Sequence, residues 1–269
     1  MIIEDLHTHS LYCDGKNTLE EMVEGAIKKG LHTLGFSPHG YTKFDLSYCM
    51  TMENTQKYIN EAKHLKEKYQ GKINLLMGIE LDYYSDIKSD GFDYSIGSVH
   101  YVETKKGEKI AIDESGELVL SVINNDFNSD VYLFCEKYFE MVSDIVDKTS
   151  CDIIGHFDLI TKFKEVRDII DFKNERYVNA YKKAIDKLVL HDKVFEINTG
   201  AISRGYKDDA YPSEDILKYL CEKNAKVIIT GDTHHKDYLS YQYEKYYKLA
   251  LDIGFKKVYI SDDFIKKVV

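Results

Sequence analysis

Short apolar runs, each ending in a polar or ligand-capable side chain and most followed by helical periodicity, recur along the whole chain. The first run starts at Ile2-Ile3 and ends at His7 and His9. Thr18, with Glu21 three residues on, reads as a capping box that opens a helix through Ile27, closed by Gly30. A second run, residues 33–37, ends at Pro38-His39-Gly40, and a helical stretch over 52–69 stops near Gly71. The third run, 73–79, ends at Glu80, and the fourth, 94–99, ends at His100. Residues 101–130 lack a clear period and are rich in Asn, Asp, Gly and Ser, so they read as a long loop with room for a hairpin or short helices. A helix over 131–148 leads to a fifth run, 151–155, which ends at His156 with Asp158 beyond. A helix over 174–191 precedes a sixth run, 193–198, and Ser213 caps a helix to Lys223. The seventh run, 226–231, ends at Asp232-Thr233-His234-His235, and a short last run, 258–260, ends at Ser261.

Strand and helix in alternation mean a parallel sheet with crossover helices. The runs do not alternate apolar and polar residues, as expected for strands covered on both faces. Seven or eight such units predict a closed α/β barrel with the ligand-capable residues at the C-terminal strand ends, where barrel active sites form. An open doubly wound sheet is the alternative, but no glycine-rich phosphate loop follows the first run. No linker, repeat or low-complexity tract divides the chain, so residues 1–269 read as one domain.

Composition narrows the chemistry. Charged residues make up 30% of the chain, and no run reaches the ~18 apolar residues of a spanning helix, which argues against a membrane-embedded body. With no basic n-region and no signal peptide readable, a cytoplasmic protein is expected. Five widely spaced cysteines without a Cys-x-x-Cys pair read as free thiols. A net charge of −10 argues against a nucleic-acid surface and is compatible with a cation-binding cluster.

Of ten histidines, His7, His9, His39, His100, His156 and His234 fall at predicted strand ends, joined there by Glu80 and Asp232. His7 and His9, two residues apart on a strand, face the same side. Taken alone, such a pair reads equally as solvent-facing. Six histidines and two carboxylates converging on one barrel end are a multinuclear metal site. Eight or nine N/O ligands exceed one tetrahedral ion, so two or three divalent metals are implied. A hydroxide held between metals is a strong nucleophile at neutral pH, and paired cations offset charge on phosphoryl oxygens. Phosphoester hydrolysis is the reaction class that follows, ahead of amide hydrolysis. Asp232 is the candidate to orient the nucleophile and take its proton.

The segments Asp5-Leu6-His7-Thr8-His9-Ser10, Ser37-Pro38-His39-Gly40, Gly78-Ile79-Glu80, Gly97-Ser98-Val99-His100, Gly155-His156-Phe157-Asp158 and Gly231-Asp232-Thr233-His234 resemble, in order, the motifs of the polymerase and histidinol phosphatase (PHP) superfamily. Residues 93–102 and 155–160 resemble its histidinol-phosphate phosphatase branch. The resemblance implies a distorted (β/α)7 barrel with a trinuclear site of zinc, manganese or iron. His7, His9, Glu80 and Asp232 would hold one metal, and Glu80, His100 and His156 a second. His39, His234 and Asp14 would hold the third, although Asp14-Gly15 also reads as a simple turn. Arg204 follows the sixth run in a stretch similar to the family's phosphate loop, and its guanidinium fork suits phosphate oxygens. Lys162 is a second phosphate candidate; where the family often carries arginine immediately before it, this chain has Thr161. Both also read as solvated surface cations. The expected activity is release of L-histidinol and phosphate from L-histidinol phosphate, in histidine synthesis. The rivals are a phosphoesterase acting on a nucleotide, phosphotyrosine or a nucleic-acid end, and a non-catalytic metal-stabilised barrel.

Overall fold

In the computed structural model, which describes residues 3–265, seven parallel strands form one sheet. In chain order the strands are β1 (Glu4–Asp5), β2 (Thr33–Phe36), β3 (Asn74–Asp82), β4 (Tyr94–Ser98), β5 (Tyr101–Glu103), β6 (Lys109–Ala111), β7 (Ile153–Ile154), β8 (Val194–Asn198) and β9 (Lys226–Thr230). The sheet runs β1-β2-β3-β4-β7-β8-β9, with β5 and β6 forming a separate antiparallel hairpin. Ile2, at the start of the first predicted run, lies outside the described residues.

The sheet curls until its two edges meet at the functional end. Thr8 and Thr233 form an isolated parallel bridge, in which the His9 amide donates to the Thr233 carbonyl (2.9 Å) and the Thr233 amide to His7 (2.8 Å). The buried Asp5 carboxylate staples the seam, accepting from the Gly231 amide at 2.9 Å and the Thr233 hydroxyl at 3.0 Å. The result is a nearly closed barrel in which the closing contacts and the candidate ligands share the same residues.

Strand periodicity sorts each run into two layers. On β3, Met77, Ile79 and Leu81 pack outward against the helices, while Leu76, Gly78, Glu80 and Asp82 alternate with them. On β8, Phe195 and Ile197 pack outward, whereas Val194, Glu196 and Asn198 take the other face. Tyr94, Ile96, Ile153, Val194 and Ile228, with Leu6, form a small apolar cluster inside the barrel. Two to four residues further along the same faces stand Ser98, Glu196, Thr230 and Asp232. An apolar floor thus carries a polar rim, which is why a run without simple alternation ends in a ligand-capable side chain.

Tyr94 occupies the space left by two glycines. A Cβ on Gly78 would lie 2.3 Å from the Tyr94 ring, and one on Gly35 would lie 2.3 Å from its hydroxyl. That hydroxyl donates to the Leu6 carbonyl at 2.5 Å, tying β4 to the chain just beyond β1.

The crossover helices largely follow their local signals. The Thr18–Glu21 capping box opens the helix Leu19–Lys28, with Met22, Val23 and Ala26 on its buried face. Thr51 caps the helix Met52–Lys68. The predicted helix over 131–148 breaks at Asp144 into Val131–Ser143 and Ile145–Thr149. The one over 174–191 is α-helical at Glu175–Leu188 and tightens to a 3-10 turn at Val189–His191. Ser213 stands before the helix Glu214–Glu222, but its side chain makes no capping bond; its amide instead donates to Asp158 at 3.0 Å. Residues 101–130 are more ordered than a loop, with the β5–β6 hairpin and an eleven-residue helix, Gly116–Asp126, capped by Ser115. The last run, 258–260, is not a strand: a single bond from the Tyr259 amide to the Val227 carbonyl (2.7 Å) holds it beside β9. No described helix is long and apolar enough to cross a membrane.

Candidate metal centre

The nine predicted ligands arrive at one place because the strands end there. Glu80 is the hub. Its Oε2 lies 2.9 Å from His39 Nδ1, 3.2 Å from His7 Nε2 and 3.6 Å from His9 Nε2, and its Oε1 lies 3.2 Å from His156 Nε2 and 3.5 Å from His100 Nε2. Asp232 Oδ1 stands 3.3 Å from His9 Nε2. Asp14 reaches His234 Nε2 at 3.0 Å, His9 Nδ1 at 3.6 Å and His39 Nε2 at 3.7 Å. The turn at Asp14-Gly15 therefore carries its carboxylate into the cluster, and the turn and ligand readings are compatible.

Three groups converge closely enough to share an ion: His7, His9 and Asp232; His39, Glu80 and His100; and His9, Asp14, His39 and His234. These differ from the sets implied by resemblance in two respects. His39 joins Glu80 and His100, and His9 joins the Asp14 group. His156 belongs to none of the three, although it touches Glu80.

Whether this set fits cations is decided by its lone pairs. His7 Nε2, His9 Nε2, Asp14 Oδ1, Glu80 Oε2, His100 Nδ1 and His156 Nδ1 are buried without a hydrogen-bond partner. Unpaired buried polar atoms are costly, and so many in one cluster need a common explanation. The electrostatics agree. Burial, then the neighbouring His234 and His39, push His9 down to about 3, leaving a neutral imidazole with a lone pair to give. Burial alone would raise Glu80, but His39, His7 and His100 hold its carboxyl well below the usual range. Asp14 is likewise lowered by His39 and His234 against burial. Neutral imidazoles and ionised carboxylates of this kind form two or three divalent-cation sites, a mixture that suits zinc, manganese or iron. The thiol of Cys13 lies 3.5 Å from His9 Nδ1, but burial pushes it up to about 12, so it is held as a neutral thiol.

Three acidic residues not singled out from the sequence support the cluster. Glu196 on β8 accepts from His7 Nδ1 at 2.6 Å and from the His156 amide at 2.9 Å, so His7 presents Nε2 inward. Burial lowers the His7 pKa, but Glu196, Glu80 and Asp232 outweigh it and carry the imidazole well above its ordinary value. Asp82 accepts from the His100 amide at 2.9 Å and lies 3.3 Å from His100 Nδ1, out of line for a bond with that nitrogen. Asp5 holds the seam. The available signal was a charge inside an apolar strand: Glu196 sits between Phe195 and Ile197, where a lone carboxylate needs a buried partner. Changing Glu196 to Gln should weaken metal retention or turnover about 10–100-fold, the usual cost of losing an outer-shell carboxylate. Metal titration of the purified variant checks this, and unchanged affinity with unchanged turnover would refute it.

Arg204 and Lys162 are placed differently. Arg204 joins the rim: its guanidinium donates to Asp232 Oδ2 at 3.0 Å and to the Asp232 carbonyl at 2.7 Å, and lies 2.6 Å from His234 Nδ1. Lys162 Nζ donates to the Asp113 carbonyl at 2.7 Å, 3.6 Å from the Asp113 carboxylate. Among the described residues no hydrogen bond or ion pair links it to the nine.

The sequence matches the PHP domain model over residues 5–200. It is 31% identical to the "Probable histidinol-phosphatase" of Schizosaccharomyces pombe over 268 residues, covering 90% of this chain and 84% of that one. It is 22% identical to the histidinol-phosphatase of Bacillus subtilis, covering 90% and 97%. The crystal structure of histidinol phosphate phosphatase from Lactococcus lactis, solved with zinc, L-histidinol and phosphate, has the same fold: TM-score 0.71, 18% identity, 96% of this chain and 95% of that one. With its strand-end motifs, its barrel and its relatives in agreement, this chain belongs to the PHP domain family, in the histidinol-phosphatase branch.

Proposed function

We propose that the chain is a metal-dependent phosphatase that hydrolyses L-histidinol phosphate to L-histidinol and phosphate, with residues 1–269 acting as one unit in the cytoplasm. The observation that carries the reading is the rim of nine convergent ligands whose buried lone pairs lack protein partners. The names of the relatives support the substrate, and five unpaired cysteines support a reducing compartment.

In this reading His7, His9, Glu80 and Asp232, then His100 and His156, then His39, His234 and Asp14, are the ligands. When bound, the cations supply Lewis-acid charge to the phosphoryl oxygens and acidify water. The protein's own residues do the rest. Glu80, placed between five imidazoles, fixes their relative positions. Asp232 is ionised at neutral pH: burial would raise it, but Arg204, His7, His9 and His234 hold it well below the carboxylate range. It therefore enters the reaction able to accept a proton from water and return it to the leaving alkoxide, and it cannot donate one beforehand. Arg204, the arginine at the rim, aims a planar fork where phosphoryl oxygens would sit. Lys162 serves the substrate indirectly, by holding Asp113.

Steady-state kinetics on a panel of phosphomonoesters tests the assignment. L-histidinol phosphate should lead in kcat/KM by at least about tenfold to a hundredfold, or about 1.4–3 kcal/mol of transition-state discrimination. Equal turnover of a nucleotide or phosphotyrosine would sink it.

A further inference from the structure

Beside the metal centre, on its His39–His100 side, lies a cavity of about 220 Å³. One wall is the loop after β2, which brings Asp45 and Tyr48; the other is Tyr101 on β5 with Asp113 and Glu114 just past the hairpin. Asp14 also borders it. The Tyr48 ring packs edge-on against His39 at 4.9 Å and lies 6.0 Å from the Tyr101 ring, so aromatic surface continues from the rim into the cavity. Asp14 Oδ1 and His100 Nδ1, both lacking hydrogen-bond partners, belong to residues that line it, and the His100 side chain is more than nine-tenths buried. No lysine or arginine is among the lining residues.

The carboxylates differ in how fully they are engaged. Asp45 accepts from the Tyr101 hydroxyl at 2.7 Å and from the Ser47 hydroxyl at 2.6 Å, which fixes the loop against β5. Asp113 has one nearby cation, Lys162, and Glu114 is exposed. A ligand that reaches past the metals into this space meets negative charge and the faces or edges of two phenol rings. A phosphate dianion is repelled there, while a cation attached to a flat ring is attracted twice, by charge and by the ring quadrupole.

Resting on the functional reading above, we propose that this cavity is the specificity pocket for the non-phosphate end of the substrate. Asp113 and Glu114 take the ammonium group, and Tyr48 and Tyr101 bracket the imidazole. The orientation follows: Arg204 and Asp232 lie across the rim with the phosphate, and the cation points toward the hairpin. The pocket also excludes rivals, because a nucleoside phosphate or a phosphorylated acid would bring further negative charge, or a bulkier base, against three carboxylates in about 220 Å³.

The test compares kcat/KM for L-histidinol phosphate with that for an uncharged aryl phosphate in the wild type and in Asp113→Asn/Glu114→Gln. The ratio of the two should fall at least tenfold in the variant. The inhibition constant of L-histidinol, which carries no phosphate, should rise by a similar factor. Glu114→Gln alone, at an exposed position, gives a smaller shift in the same direction and guards against misfolding of the double variant. A ratio that stays constant, whether both rates fall together or neither moves, overturns the pocket. A wild type that shows no preference for L-histidinol phosphate overturns the functional reading itself, before any variant is compared.

Discussion

Glu80→Gln is expected to cost about a hundred- to a thousandfold in kcat/KM, on the scale of removing one preorganised electrostatic group from an active site. No other side chain touches so much of the centre: five imidazoles lie within 2.9 to 3.6 Å of its two oxygens. Glutamine keeps the shape and one acceptor but replaces a charged oxygen with an amide donor, which faces nitrogens that need their lone pairs free. Elemental analysis should show at least one metal fewer per chain. The far-ultraviolet circular dichroism should be unchanged, because the apolar floor beneath is untouched. A variant with a full metal complement and wild-type turnover would remove Glu80 from the centre.

Chelation should have the next largest effect. Stripping divalent cations is expected to abolish turnover and lower Tm, with both restored by zinc, manganese or iron. A cation at a hundred times its Kd stabilises the fold by about 2.7 kcal/mol. The pH dependence follows from the shifted groups. His7 is raised above 6.5 in the fold, so without metal its proton contributes stability that is complete below 6.5 and lost as pH climbs through the raised value. Glu80 is depressed below 4.5, so its contribution is complete above 4.5 and lost as pH falls through the lowered value. Chelated protein should therefore be most resistant to urea between pH 4.5 and 6.5. Metal must displace the His7 proton, so affinity should rise with pH across the range where that imidazole deprotonates, with proton release seen by calorimetry in buffers of different ionisation heat. Proton-independent binding would contradict the role of His7.

How much of this could be read from the chain depends on how local each signal is. The capping box at Thr18–Glu21 and the ligand-tipped runs are written in a few adjacent residues, so the strands, the barrel and the nine rim residues were legible. Signals that depend on remote partners were not. Val258-Tyr259-Ile260 has strand composition, but the sheet is already closed by Thr8 and Thr233, which leaves it a single bond to β9. Ser213 occupies a capping position, but Asp158 takes its amide and its hydroxyl makes no cap. Glu196 reads as an interruption of an apolar strand until His7, far away in sequence, is seen against it. Lys162 lies close in sequence to His156, but a 3-10 turn at Leu159–Thr161 directs it to Asp113.

The packing of Tyr94 into the gaps at Gly35 and Gly78 bears on how this lineage can change. The three positions belong to three neighbouring strands and share one volume, so none of them can drift alone. A methyl group at either glycine collides with the ring, and a smaller residue at position 94 leaves a void and frees the Leu6 and Phe36 carbonyls it now satisfies. The permitted moves are joint ones, a side chain gained on β2 or β3 in exchange for the ring on β4. Across relatives this floor should be inherited as a block, so that glycine at 35 and 78 accompanies a large aromatic at 94. The rim above it, where each residue answers to a cation and a substrate, is free to be tuned separately.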